Sequence, residues 1–294
     1  MSAPPANKQT LVWVLLILLS LIWGSSFILI KRGLLALTPG AVGALRILAA
    51  GLVLSPLAWR QRHKLHRRHW FWVFVVGFMG SFIPAFLFAV AETGLDSALA
   101  GVLNALTPLF AVVVGALFFS RMFTRSTILG LAIGFAGTLL LITAGGQGLL
   151  GNLNRYALYV IAATVCYGFN VNIIKYKLAD LGAVALTSWS MLLVLPVAAI
   201  YLFFFTPFSQ DVTGHQQGWA AFGYIVLLGI MSTAVAMTLF NKLVQLSSPV
   251  FASSVTYLIP VVAVIWGLLD YEALVLRHYA GMAIILLGVY ITNR

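Results

Sequence analysis

Acidic residues are scarce in this chain. There are six among 294 residues, and all fall at the ends of long apolar runs or between them. With no carboxylate inside a run, a proton relay through Asp or Glu is hard to draw. Charged residues of both signs make up only 8% of the chain against 62% hydrophobic, and the mean hydropathy is +1.05. Soluble domains carry roughly a quarter charged residues, so the composition alone points to a membrane protein. Cysteine is nearly absent too: Cys166 stands alone inside an apolar run, which excludes an intrachain disulfide and a paired-cysteine metal site. HExxH, GxSxG, the Walker A sequence and a GxGxxG turn are all missing. No enzyme activity, cofactor, metal or ATP-driven step is therefore expected.

What the chain has in quantity is long apolar runs. Ten of them lie at about 11–30, 40–59, 70–91, 98–119, 127–144, 156–174, 183–205, 218–240, 249–269 and 276–292. About 20 apolar residues cross the hydrocarbon core as a helix, and open strands would leave backbone unpaired in lipid. An all-α membrane protein of ten transmembrane helices is the expectation. The first run is too long for a signal-peptide core and ends in Lys31-Arg32, so a retained helix is expected.

A net charge of +11 could suggest nucleic acid, but the cations lie between the runs rather than along one polar face. Twelve Lys and Arg fall on the side of the N-terminus and four on the other, with Arg46 inside the second run. Positive-inside then places both termini in the cytoplasm, and an inner-membrane location is expected. The partners implied are the lipid bilayer and a small-molecule substrate. A monomer is expected, with a dimer left open.

The chain also repeats itself. The segment 98–119 returns, shifted by 152 residues, as 250–271: Pro108 falls on Pro260, Ala100 on Ala252 and Gly115 on Gly267. At the same shift Gly77, Met79, Phe88 and Leu106 meet Gly229, Met231, Phe240 and Leu258. At a shift of 144, Trp23-Gly24 meets Tyr167-Gly168 and Lys31 meets Lys175; at 151, Gly130 and Gly137 meet Gly281 and Gly288. The division implied is 1–148 and 149–294, five helices each. An odd number of spans forces the second copy to enter from the opposite side, giving an inverted repeat around a central cavity.

The residues that carry this pattern resemble the EamA-domain drug/metabolite transporter superfamily. They are WGSSFILIK in the first run, an arginine in the second, the proline-bearing fourth run, and NKLVQLSSPVFASSVTYLIPVVAVIWGLLDYEAL in the second half. The resemblance covers essentially the whole chain. It implies ten helices, a cavity lined mainly by helices 1, 3, 4, 6, 8 and 9, alternating access, and export of amino acids, other metabolites or drugs. Glu272 fits the family's acidic position in the second copy, whereas Ser120 stands at the first.

Candidate site residues follow from both readings. Trp23, Tyr167 and Tyr257 would offer apolar or π faces, and Ser26, Asn104, Thr107, Asn170 and Thr256 hydrogen bonds to substrate. Pro108 and Pro260 each lack the N–H that would bond the carbonyl four residues back, so with Gly24 and Gly168 they are the candidate hinges. Arg46 is read as a structural or gating charge that pairs with Glu92 or Asp96, or snorkels to the interface. Lys31 and Lys175 are read as helix-end anchors. His63, His66 and His69 have the spacing of metal ligands, but so basic a loop repels cations, and a solvated polybasic loop is expected. Gly130, Gly134 and Gly137 are expected to pack the fifth helix against a neighbour. The function expected is secondary transport, as an exporter of small amphipathic metabolites such as amino acids or drugs; a lipid or lipid-linked metabolite flippase and a non-transporting binding or scaffold protein are the alternatives.

Overall fold

A computed structural model describes residues 6–95, 97–143, 155–259, 261–262 and 276–292. All regular structure among them is helical, with no strand. Six helices are long and apolar enough to cross a membrane, and four shorter apolar helices accompany them. Large apolar side chains face outward on many of them, including Leu117, Phe203, Phe204 and Leu276, as a lipid-facing surface requires. The expected junction near 148, together with Asp96, Pro260, Gly267 and Glu272, lies outside the described residues.

Helices α1 (Ala6–Gly24) and α2 (Ser26–Gly33) make one rod broken at Ser25. The Ser25 hydroxyl donates to the Leu21 carbonyl that its own N–H also uses, and such back-bonding bends helices. Helix α3 (Pro39–Arg60) starts on a Thr38 cap, whose hydroxyl accepts from the Ala41 N–H, with Pro39 in the first turn. Next come α4 (Trp70–Gly77), a π-helical turn (Phe78–Phe82) and α5 (Ile83–Ala91). Pro84 has no N–H to bond Gly80 four residues back, and the ladder there shifts register instead. Helix α6 (Ser97–Asn104) breaks before α7 (Thr107–Phe119), and α8 (Arg125–Thr143) follows.

The second half holds α9 (Ala157–Lys177), α10 (Ala183–Phe205), the short α11 (Phe208–Gly214), α12 (Gly218–Leu228), a second π-helical turn (Gly229–Val235), α13 (Ala236–Leu246), α14 (Pro249–Ser253) and α15 (Leu276–Thr292). The two π turns fall on each other at the 152-residue shift.

The halves pack as inverted copies. Arg68 and His69, between α3 and α4, meet Asp180 between α9 and α10. At the other end Leu34, Leu37 and Ala41 share an apolar cluster with Phe208, Val212 and Ala221. The second loop of one copy thus sits with the first loop of its counterpart, at both ends. Ile47, Ala50 and Leu54 of α3 interleave with Met191, Val194 and Ala198 of α10. Helices α8 and α15 cross at glycines: a Cβ on Gly288 would lie 2.4 Å from the Gly134 backbone nitrogen.

Candidate functional site

A cavity lies among the helices of the two copies, with about 790 Å³ of empty space including its mouth. Its wall obeys the duplication. Trp23 and Tyr167 both line it, as do Ser26 and Asn170, Ser81 and Thr233, Phe88 and Phe240, and Asn104 and Thr256. The first two pairs are related by the 144-residue shift and the other three by 152. Each π turn therefore delivers one hydroxyl, Ser81 or Thr233, to equivalent places. Single-turn π distortions are common at functional sites.

The polar groups differ in what they already bond. Thr107 donates to the Asn104 carbonyl at 2.7 Å, which is the carbonyl that Pro108 cannot satisfy. Thr256 donates to Ser253 at 3.0 Å and Ser26 to Trp23 at 2.6 Å. These hydroxyls are already committed as donors. The Trp23 indole N–H donates to the Ser232 carbonyl in the second π turn at 2.9 Å. Asn170 is different: it is 1% exposed, and among the described residues neither its Nδ2 nor its Oδ1 has a protein partner. The Ser81 hydroxyl is likewise without one. A Cβ on Gly80 would fall 2.6 Å from the Asn170 amide carbon, so a glycine in the π turn makes the room that amide occupies.

Seven of the eight residues expected to contact substrate line this cavity, and Tyr257 does not. Its ring is fully buried against Gly134, and its hydroxyl donates to the Leu131 carbonyl at 3.2 Å. One residue beyond Thr256 is about 100° around a helix, which turns Tyr257 toward α8. Of the candidate hinges, Pro108 follows the break between α6 and α7, and Gly24 precedes the break at Ser25. Gly168 lies inside unbroken α9, where its missing Cβ would be 2.8 Å from the Phe110 backbone; it serves close packing. The second half breaks at Ser254.

Arg46 forms no ion pair among the described residues, and Asp96, one of its two expected partners, lies outside them. Its Nε donates to Thr233 at 2.7 Å, and it lines the cavity. Gly229 allows this approach, since a Cβ there would sit 2.6 Å from the Arg46 carbonyl. Lys31 is exposed in the last turn of α2.

The end of the bundle that carries residues 60–69 is closed by a polar latch. The Lys175 ammonium donates to the carbonyls of Val244 (3.3 Å), Gln245 (3.2 Å) and Ser247 at the end of α13. A cation there also faces the negative end of the helix dipole. The Gln245 amide donates to Leu181 at 2.7 Å, and the Asn241 amide to Thr187 at 2.7 Å. Contrary to the expectation of a solvated polybasic loop, His69 is 2% exposed and shares a 3.0 Å hydrogen bond with Asp180, which also pairs with Arg68. Burial works to raise the Asp180 carboxyl, but the His69 bond and the Arg68 charge hold it below the ordinary aspartate value. Among the described residues no His, Cys, Asp or Glu cluster could hold a metal ion.

The sequence reading missed Ser81, Phe88, Thr233, Met237 and Phe240 as lining residues. Phe27 lines the cavity with Trp23, Ser26 and Ile30, at the spacing of one helical face. For Ser81 and Thr233 the signal was a polar pair at the same 152-residue shift as the prolines.

The profile of the EamA-like transporter family matches residues 11–143 and again 154–294. A protein of Archaeoglobus fulgidus described as an uncharacterized transporter is 28% identical over 96% of this chain and 98% of its own length. The Escherichia coli protein named uncharacterized inner membrane transporter YedA is 28% identical over 94% of this chain and 88% of its own. The Bacillus subtilis protein named uncharacterized transporter YvbV is 22% identical over 97% and 92%. One solved structure, titled only as the crystal structure of a protein, superposes with a TM-score of 0.71 at 18% identity, covering 99% of this chain and 98% of that one; it speaks to the fold alone. Matched in both halves and in order, this chain belongs to the EamA-like transporter family.

Proposed function

We propose that this protein is a secondary transporter of the inner membrane that exports small amphipathic metabolites, such as amino acids or drugs, by alternating access. The observation that carries the reading is a cavity walled by equivalent residues of both copies and lined by the unanswered amide of Asn170. An amide buried without a partner costs roughly 1–3 kcal/mol, and a substrate hydrogen bond is what such a group is kept for. Trp23, Tyr167, Phe88 and Phe240 give the same cavity broad apolar faces.

Ten crossings, with both termini in the cytoplasm, put the Lys175 latch at the cytoplasmic end. Ile30, Arg46 and Phe88 then carry the cavity toward the outer end, and the arrangement fits an outward-facing state. Access would alternate as the copies, about 1–148 and 149–294, rock against one another, with the breaks at Ser25, before Pro108 and at Ser254 bending between states. Open volume between the copies argues against a plugged scaffold. The identity of the relatives as transporters, one of them of the inner membrane, points the same way.

Purified protein in liposomes should exchange at least one member of a panel of amino acids, and Asn170→Ala should cut that flux at least about tenfold, the equivalent of roughly 1.4 kcal/mol. Flux that survives replacement of Asn170, Asn104 and Ser81 together would remove the site assignment. Liposomes that pass nothing in the panel would remove the transport reading.

A further inference from the structure

The pseudo-symmetry of the cavity wall is broken at one position in a way that changes its charge. Helices α3 and α10 begin 144 residues apart, at Pro39 and Ala183, so Arg46 corresponds to Ser190. Ser190 is buried and closes its hydroxyl on the Thr187 carbonyl at 3.0 Å, away from the cavity. Arg46 lines it, and among the described residues no other member of the wall bears a formal charge.

A guanidinium in the membrane interior is costly to keep and does not deprotonate to relieve that cost. A merely structural arginine would answer it with a carboxylate. Here the only hydrogen bond of Arg46 among the described residues is the one from Nε to Thr233. Glu92 and Tyr167 are within electrostatic reach, but among the described residues no carboxylate closes an ion pair with Arg46. The bond through Nε fixes the plane of the group, and Gly229 and the second π turn hold its partner hydroxyl in place. The two terminal nitrogens are left as a fork. A planar fork of parallel N–H groups matches a carboxylate in bidentate fashion, as an ammonium does not.

Building on the transport reading, we propose that Arg46 is the anion anchor of the cavity, and that the substrate class is organic carboxylates with an apolar or aromatic body. The carboxylate seats on the Arg46 fork, and the body lies among Trp23, Phe27, Tyr167 and Phe240. An amino group on the substrate is dispensable, since the wall among the described residues holds no acidic side chain to receive it.

Three probes with the same phenyl ring separate these requirements: L-phenylalanine, 3-phenylpropionate and phenethylamine. Binding is read by equilibrium dialysis and by thermal shift on the detergent-solubilised full chain, because a ligand that prefers the folded state raises its apparent stability. Flux is read in liposomes. Both carboxylates should bind and phenethylamine should not. Arg46→Gln should weaken carboxylate binding at least about 30-fold, as expected for one lost partner of a desolvated charge pair, while its elution and unliganded melting report its folding. Arg46→Lys keeps the charge without the fork and should retain the preference for carboxylates at intermediate affinity. Thr233→Val, which frees Nε, should weaken both carboxylates alike. Equal binding of phenethylamine and the carboxylates overturns the proposal, as does failure of both carboxylates to bind, or a carboxylate preference that survives Arg46→Gln. Carboxylate-selective binding without flux would sustain the anchor and sink the transport reading; flux that ignores the carboxylate would do the reverse.

Discussion

Two asparagines two residues apart on α9 should respond to the same substitution with opposite signs. Asn172 donates from Nδ2 to the carbonyls of Ala111 at 2.9 Å and Gly168 at 2.8 Å, and so ties α9 to α7. Asn170 makes no protein hydrogen bond among the described residues from either end of its amide and lines the cavity. Leucine has nearly the branched shape of asparagine. In Asn172→Leu two hydrogen bonds disappear, at about 1 kcal/mol each. Part of that is returned, because the Asn172 Oδ1 is itself without a partner and buried. The net expectation is a loss of about 1–2 kcal/mol. In Asn170→Leu nothing is broken, and a buried unanswered amide is replaced by apolar surface, for a gain of about 1–2 kcal/mol. The two variants should therefore differ by about 2–4 kcal/mol. At about 2–4 °C per kcal/mol for chains approaching this size, their melting temperatures in one detergent should separate by at least about 4 °C. Flux should run the other way: Asn170→Leu should lose it, and Asn172→Leu should keep it per folded molecule. If Asn170→Leu melts as low as Asn172→Leu, the Asn170 amide supports the fold, and its assignment to substrate falls.

Three further outcomes follow from the latch and the helix crossings. Lys175→Met should loosen the end closed by α13, removing charged hydrogen bonds and a dipole contact worth about 2–3 kcal/mol together after allowance for partial exposure. Spin labels at Ala179 and Ser248, in a Cys166→Ser background, should shift toward longer distances, and an unchanged distribution would remove the latch. Gly288→Ala drives a Cβ to 2.4 Å from the Gly134 backbone nitrogen, which has no side-chain freedom to yield. It should destabilise by about 1–3 kcal/mol, whereas Gly223→Ala, with open space around it, should melt like the parent. Asp180 is held below the ordinary aspartate value by His69 and Arg68 against the effect of burial. A depressed carboxyl stabilises the fold above its unfolded value and ceases to do so as pH falls through its folded one. The advantage of the parent over Asp180→Asn should thus be full at pH 6 and decline once the pH falls below about 4, the unfolded value; an advantage that does not change with pH across that range and below it would refute the pairing.

Much of the architecture was legible because a membrane helix declares itself by length and composition, and a duplication by recurrent Pro and Gly at fixed shifts. The same shifts relate Asn104 to Thr256, Phe88 to Phe240 and Trp23 to Tyr167 across the cavity. The failures have separate physical causes. Tyr257 was placed beside Thr256 by adjacency, although neighbours on a helix point about 100° apart. The π turns escaped because one extra residue in a uniformly apolar run leaves no break in periodicity to detect. Thr107 and Thr256 were read as free donors because sequence shows a hydroxyl but not the carbonyl three residues back that claims it.

Arg46 is the most instructive of these. Its position some seven residues into α3 suggested a side chain shallow enough to reach water, yet the direction it faces is set by Gly229 and Thr233, 183 and 187 residues away. Depth can be counted along one helix; facing is decided by the partner helix. A duplicated transporter therefore shows in its sequence where the copies agree, namely the frame, the breaks and the apolar wall. What distinguishes one substrate from another must lie where they disagree, since a wall with perfect two-fold equivalence presents the same groups twice and cannot tell one end of a molecule from the other. In this chain the charge disagreement on the wall is Arg46 against Ser190, and that is where selectivity should first be sought.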